Sequence, residues 1–349
     1  MVIVVSLLGA LLLFLFQSHL YRRYWRHSLE TRLSFSEEML ESGERATILE
    51  ETENRKRLPL PYYEYSYTMQ KSFSVFRLGK NAWERKVRLG MKGRTLLTKQ
   101  TETPPLTRGI YTLGDGRMAS SDLFFTENLS SPLFPDSVLV VLPKKVETED
   151  VAVPFRHMLG QVLSSHISEE DPFEVRNIRP YEIYDSQKSI NWKASAKTGE
   201  LKVNTYAYTT SERVSVLLDL REGTEEERET LISLASTLSS LFLRRGVTVS
   251  LYTNGRSCFL GRKVEVLPGT GNAHALTIDK ALSEIKVFSV TEEDAEDLLF
   301  SSSGVPVLVS RSLSSSLGAP KEGRGYAFLL EESTSSSWEC FLYGGSHEE

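Results

Sequence analysis

Residues that carry chemistry are scarce in this sequence. Cysteine occurs twice in 349 residues, at Cys258 and Cys340. Two are too few for a disulfide-stapled secreted scaffold or a cysteine-ligated zinc site. The six histidines are scattered, with no HExxH and no tight spacing to aspartate or glutamate, so no metal or other cofactor is expected. No serine sits in a recognisable nucleophile elbow or triad. Basic excess is missing as well: the formal net charge is −5, which argues against nucleic acid as a partner. What remains is ordinary globular material, 40% hydrophobic, 25% charged and 10% aromatic. That composition excludes disordered, collagen-like and coiled-coil classes, and the length predicts about two folded domains.

One long apolar run stands out. Residues 2–16, VIVVSLLGALLLFLF, carry no charge. Extended to Tyr21, the segment approaches the roughly 20 residues that cross a bilayer. A secretory signal would place Lys or Arg before such a run and a small-x-small cleavage site after it. Here the cations follow instead, as Arg22, Arg23 and Arg26, with Tyr21, Tyr24 and Trp25 among them. A cationic flank with interfacial aromatics predicts a single-pass anchor over residues 1–21, with the soluble domains cytoplasmic. Residues 1–27 hold three arginines and no acid, so the body beyond them carries −8. An anionic leaflet would repel it outside the arginine collar.

From about residue 30 to 145 the pattern is short-period and often broken. Arg45–Leu49, Tyr62–Tyr67 and Trp83–Leu89 read as strands, with turn signals at Ser42-Gly43, Pro59–Pro61, Leu78–Asn81, Gly114–Gly116 and Ser131-Pro132. This predicts an antiparallel β-sandwich, Ig-like in class, with Val138–Leu142 as its last strand, stopped by Pro143. The aromatic stretch at Tyr62 reads as core and cross-strand packing rather than a carbohydrate or peptide platform. Residues 146–172 are acidic and irregular and read as an inter-domain linker.

The most distinctive stretch is residues 174–206, EVRNIRPYEIYDSQKSINWKASAKTGELKVNTY. It resembles the signature of the bacterial domain-of-unknown-function 58 family, approximately Arg-x-Tyr-x-x-Gly-Asp-x-x-Arg-x-Ile-x-Trp-Lys-x-Ser-Ala-Arg. Arg179, Tyr181, Asp185, Lys188, Ile190, Trp192, Lys193, Ser195, Ala196 and Lys197 match it outright or conservatively. Tyr184 replaces the family's usual glycine, a position where positive φ would be costly for tyrosine. Thr107–Tyr111 and Asp122–Phe125 are similar to the family's upstream Arg-Gly-x-Tyr and Asp-Pro-Phe-Gly segments. The stretch holds six cations and four acids interleaved with Tyr181, Tyr184, Trp192 and Tyr206. An excess of two is weak for phosphate binding. Two readings stand. One is an internal ion-pair network with Trp192 as hydrophobic anchor. The other is a partner-binding surface formed by Arg179, Tyr181, Asp185, Lys188, Trp192, Lys193 and Lys197, since Trp, Tyr and Arg dominate interface energetics.

After Thr210 the pattern changes to strand, helix, strand. Val214–Asp219 is a near-continuous apolar strand; Thr224 and Glu227 form a capping box; Leu231, Leu234, Ala235, Leu238, Leu241 and Phe242 make a helical stripe. Val247–Tyr252, Lys263–Leu267, Val305–Val309, Ala327–Leu330 and Cys340–Tyr343 read as further strands. Helices are predicted from about Ala273 to Ile285 and from Thr291. Alternation of this kind predicts a doubly wound α/β domain over residues 173–349 together with the signature segment. Pro268–Asn272 lacks the lysine of a phosphate loop and reads as a turn with Asn272 as N-cap. The acidic runs Glu225–Glu229 and Glu292–Asp297 read as solvated helix starts, and the serine-rich segments near 301–303, 312–316 and 333–337 as loops. Both cysteines are expected as small buried apolar side chains in a reducing compartment.

The resemblance implies a von Willebrand factor A-like domain, which often binds Mg²⁺ through Asp-x-Ser-x-Ser after its first strand. Here that run is Asp219-Leu220-Arg221-Glu222-Gly223. The aspartate remains, both serines are lost, and Ser310-Arg311 stands where such domains often place a second aspartate. The ion site around Asp219 is therefore degenerate, and no metal is expected. Glu222 is expected in the exposed acidic start of the helix. Such relatives are often encoded beside MoxR-type AAA+ ATPases and transglutaminase-like membrane proteins, which implies those partners. The function expected is a membrane-tethered interaction or scaffold protein without catalysis of its own. The alternative is a hydrolase-type enzyme using Asp185, Asp219 or Glu222. An extracellular metal-dependent adhesin would need the opposite topology and an intact ion site.

Overall fold

The computed structural model describes residues 2–71, 83–147, 151, 155–156, 158–159, 170–181, 190–208, 213–286, 304–311, 325–330 and 338–343, with the backbone alone over 170–177, 205–208, 325, 330 and 338–343. The chain divides into two units, one of residues 1–144, 256–262 and 279–286, the other of 145–255, 263–278 and 287–349. The predicted helix that opens at Thr291, Tyr184, Asp185, Lys188, the Leu78–Asn81 turn and the three serine-rich loops lie outside the described residues.

In the first unit the apolar run forms one helix, α1 (Val2–Tyr24). It is long and apolar enough to cross a membrane. Its last turn is part of the folded unit: Tyr21 and Trp25 are buried in the same core as the strands. Tyr21 Oη donates to Pro59 O at 2.8 Å, and Lys56 Nζ donates to Trp25 O just beyond the helix. Burial pushes the Lys56 ammonium down to about 8.

Two sheets follow. The first has the order β1 (Leu29–Phe35), β3 (Thr47–Asn54), β6 (Thr95–Glu102). The second has the order β2 (Met39–Glu41), β9 (Val138–Leu142), β7 (Gly109–Ser120), β4 (Leu60–Lys71), β5 (Trp83–Met91), with β8 (Leu129–Leu133) also on β7. Neighbours are antiparallel except β2, which runs parallel to β9. Buried side chains of both sheets form one core. Tyr63, Tyr65 and Tyr67 share one face of β4, as a period of two requires, and all three are buried. The aromatic stretch is therefore core.

β3 alternates in the same way, yet it turns Ile48, Glu50, Thr52 and Asn54 inward. A carboxylate in that position needs donors within the protein, since burying an unpaired charge is prohibitive. Glu50 has four. Tyr65 Oη and Tyr67 Oη donate at 2.6 and 2.7 Å, Thr101 Oγ1 at 2.9 Å and Arg85 Nε at 2.8 Å. β3 and β6 belong to one sheet, β4 and β5 to the other, so Glu50 ties the two together. Beside it, Thr31 Oγ1 lies 2.6 Å from Tyr63 Oη and 3.3 Å from Thr52 Oγ1. Burial drives the Glu50 carboxyl upward, but the bonds from Tyr65, Tyr67 and Thr101 and the charge of Arg85 outweigh it, leaving the group below the usual carboxylate range. Burial and the Glu50 charge push both tyrosine hydroxyls well above theirs.

In the second unit, β10 (Glu170–Pro180) and β11 (Lys202–Tyr208) form an antiparallel ribbon, with α2 (Trp192–Thr198) between them in sequence. The larger sheet has the order β14 (Lys263–Gly269), β13 (Thr248–Ser257), β12 (Arg213–Leu218), β16 (Val305–Ser310), β17 (Gly325–Leu330), β18 (Trp338–Tyr343); β15 (Ile285–Lys286) pairs with Arg256 and Ser257 at the end of β13, and these four residues belong to the first unit. β12 is parallel to both neighbours, β17 is parallel to β16, and β18 is antiparallel to β17. Covered on both faces, β12 is buried from Val214 to Leu218, which explains its unbroken apolar run. Helix α3 (Glu225–Arg244) begins with the predicted capping box at Thr224 and Glu227. Helix α4 (Gly271–Ser283) starts a residue before Asn272, so Asn272 lies inside the helix rather than at its N-cap. The 146–172 linker is a second correction. Val151, Phe155, Met158 and Leu159 are helical and buried, and the Phe155 ring lies 5.0 Å from that of Phe242 on α3. Acidic neighbours hid that spaced apolar set.

Replacing Glu50 by alanine leaves Arg85 and three hydroxyls without their acceptor. Urea unfolding should show a loss of about 3–5 kcal/mol. The pH dependence follows from the lowered folded pKa. The Glu50 contribution is complete above the ordinary glutamate value of about 4.3 and is lost as pH falls through the lower folded value. Acid unfolding of the wild type minus that of Glu50→Gln isolates this part.

Candidate functional site

The order of the larger sheet makes β12 and β16 the place where connections leave in opposite directions. Open α/β sheets bind ligands beyond the carboxyl ends of strands at such a switch point. Asp219 follows β12 directly there, with its N–H donating to Val309 O of β16 at 2.9 Å. The parallel register pairs Leu218 with Thr253, bringing the next residues, Asp219 and Asn254, side by side. Asn254 Nδ2 donates to Asp219 Oδ1 at 2.6 Å, and Asn254 Oδ1 accepts the Leu220 N–H at 3.0 Å.

Arg221 closes the other side. Its Nε lies 3.1 Å from each Asp219 carboxylate oxygen and its Nη2 2.7 Å from Oδ2, while the Arg221 N–H donates to Oδ1 at 3.1 Å. A planar guanidinium meeting a carboxylate in this way is the strong, directional form of the ion pair. Arg221, in the run where both serines are lost, thus pairs with the aspartate of that same run. Arg228 Nη2 donates to Arg221 O at 2.9 Å, and Arg311 Nη1 donates to Glu227 Oε2 at 2.6 Å. The same Glu227 oxygen accepts the Thr224 N–H at 2.6 Å. Gly223 adopts φ +98°, and a Cβ there would lie 3.0 Å from Glu227 Oε2; only glycine fits this turn easily. Glu222 is exposed in the turn before α3. Among the described residues no three His, Cys, Asp or Glu side chains are grouped to hold a metal.

The signature stretch forms a second cluster. Asn191 Oδ1 accepts the Ala194 N–H at 2.9 Å as N-cap of α2, and Gly199 ends the helix at φ 75°. Ser195 Oγ accepts the Lys202 N–H at 2.8 Å, and Asn191 Nδ2 donates to Asn204 Oδ1 at 2.7 Å, fixing α2 on β11. Tyr181 N–H donates to Leu201 O at 2.9 Å. Arg179 and Tyr181 are half-buried; Lys193 and Lys197 are exposed. Trp192 is 67% exposed, so it is not an internal hydrophobic anchor. Sequence reasoning passed over Asn191, Asn204 and Asn254. Each is a lone asparagine whose partner comes from another element.

Two more groups belong to the first unit. Arg108 is buried, and its guanidinium donates to Leu282 O at 2.5 Å and to Ile285 O at 3.2 Å, carbonyls of the 279–286 segment that belongs to the same unit. Asp122 is buried at the start of a turn, accepting from Thr126 N and Oγ1 at 2.7 Å and from Gln17 Nε2 at 2.7 Å. Burial raises its carboxyl and these bonds lower it, to about 2 on balance. Cys258 is half-buried, not fully buried as expected.

No protein-family model and no curated protein matches the chain. Solved structures give partial likenesses at low identity. An alkylpurine DNA glycosylase of Pseudomonas fluorescens shares 13% identity over 31% of this chain and 30% of its own, with a TM-score of 0.21. The CARDB domain of a Pyrococcus furiosus protein shares 8% over 32% of this chain and 94% of its own, at 0.20. A late embryogenesis abundant protein shares 8% over 39% of this chain and 84% of its own, at 0.24. The chain spans less than a third of the glycosylase, and none of the three likenesses bears on function.

The pairing at Asp219 has a measurable energy. A double-mutant cycle of Asp219→Ala and Arg221→Ala, read by urea unfolding, should give a coupling of about 1–3 kcal/mol. Additive losses would mean that the two side chains act independently.

Proposed function

We propose that this protein is a membrane-anchored interaction protein whose second unit is von Willebrand factor A-like, with its ion position filled by the protein's own guanidinium. The observation that carries the reading is the Asp219 carboxylate held by Arg221 and Asn254 beyond the carboxyl end of β12. A carboxylate engaged on both sides has little capacity left to coordinate Mg²⁺, a hard cation that wants several oxygen ligands. It is also a poor general base, because its lone pairs are committed, so the hydrolase reading gains nothing from it. Binding between proteins needs neither role.

In this reading α1 holds the first unit, an Ig-like sandwich, at the cytoplasmic face of the cell membrane, where the arginines after the helix favour that side. The α2 region is the docking surface. Its exposed Trp192 beside Lys193 and Lys197 has the chemistry of an interface anchor. Partners implied by the resemblance to the domain-of-unknown-function 58 family are a MoxR-type AAA+ ATPase and a transglutaminase-like membrane protein.

Two measurements test this. Titration calorimetry of the full chain in detergent should detect no Mg²⁺ or Mn²⁺ binding; micromolar binding abolished by Asp219→Ala would refute the filled-site reading. The MoxR-type ATPase should co-purify with the wild type and be recovered several-fold less with Trp192→Ala. Equal recovery would remove α2 from the interface.

A further inference from the structure

The turn after β7 exposes three consecutive large apolar side chains, Leu123 at 48%, Phe124 at 61% and Phe125 at 64%. Such a run at a loop tip is costly in water and calls for a partner. Its conformation is actively held. Phe125 adopts φ +59°, an unfavourable region for a bulky residue. Asp122 maintains the turn by accepting the Thr126 and Glu127 N–H groups, and the Phe125 N–H donates to Asp122 O at 3.2 Å.

The turn is also fastened to α1. Gln17 Nε2 donates to Asp122 Oδ2, and Gln17 Oε1 accepts the Leu123 N–H at 3.3 Å. Ser18 Oγ donates to Glu127 at 3.2 Å, and Arg22 pairs with the same carboxylate. One turn earlier on the helix, the Phe14 ring lies 5.6 Å from that of Phe124. The apolar exposed surface of α1 therefore continues onto the loop.

We propose that the loop Leu123–Phe125 enters the same bilayer as α1, giving the first unit a second lipid contact. The inference rests on the reading of α1 as a membrane anchor. Phe14 and Arg22 are eight residues apart, about 12 Å along a helix at 1.5 Å per residue. With the arginine collar among the headgroups, Phe124 reaches the level of the acyl chains. An aromatic pair at that depth and an ion pair at Arg22 match the usual order of groups at a membrane interface. Two attachment points fix the rotation of the first unit about the α1 axis, which a lone helix followed by a flexible tether would leave free.

The test uses the full chain in phosphatidylcholine–phosphatidylglycerol nanodiscs, with Cys258 and Cys340 replaced by alanine. An environment-sensitive fluorophore is placed at Leu11→Cys, Leu123→Cys, Phe124→Cys or Phe134→Cys. Phe134 is apolar, 83% exposed and outside the loop. Acyl-brominated lipid should quench the labels at 11, 123 and 124 several-fold more than the label at 134. Quenching at 11 with positions 123 and 124 no different from 134 would overturn the loop contact alone and point to a protein partner for the patch. No quenching at 11 or 124 would overturn the anchor reading and the loop contact together.

Discussion

Glu50, Asp122 and Asp219 are carboxylates buried where water cannot solvate them, and each is held by donors from different stretches of its own unit. Glu50 collects them from β4, β5 and β6. Asp122 collects them from α1 and from the turn it begins. Asp219 collects them from β13 and from the turn before α3. A buried charge is tolerated only where its partners are fixed, so each carboxylate dictates which segments must meet. Apolar burial brings the sheets together and resists a one-residue slip, but a slip of two keeps the same faces inward; a carboxylate with three or four required donors resists both.

This constraint also separates what the sequence discloses from what it conceals. α1, the capping box of α3, the buried run of β12 and the tyrosine face of β4 are local, each written in neighbouring residues. Glu50 sits in a stretch, Ile48-Leu49-Glu50-Glu51-Thr52-Glu53-Asn54, where three acids suggest solvent on both faces. Its inward turn follows from Tyr65, Tyr67, Arg85 and Thr101, which lie 15 to 51 residues away. Asn254 reads as an ordinary strand polar residue until the parallel register sets it beside Asp219. The helical residues at Val151 and Phe155 were masked by acidic neighbours.

The site itself was half legible. Asp219 and Arg221 stand two residues apart in the sequence, but their pairing depends on the turn after β12 and is not written there. In the proposed reading Arg221 is a replacement, one positive charge with fixed geometry where a hydrated divalent ion would sit. A bound ion can leave and be regulated, whereas a guanidinium on a short turn cannot. The turn at Asp219 is thereby made permanent, and Gly223 and the Glu227–Arg311 pair continue that fixed geometry to the start of α3. The proposed scaffold role is served by such permanence, since a preorganised surface loses less entropy on binding.

In the proposed reading Arg221 takes the place of an ion at Asp219, and its side chain can report on that directly. In ¹⁵N-labelled full chain, the Arg221 Nε–H resonance, assigned by its loss in Arg221→Lys, should be visible and slowly exchanging. It should keep its position and width as Mn²⁺ is added to millimolar concentration. Selective broadening of that resonance at micromolar Mn²⁺ would mean that a cation reaches Asp219, contradicting the account.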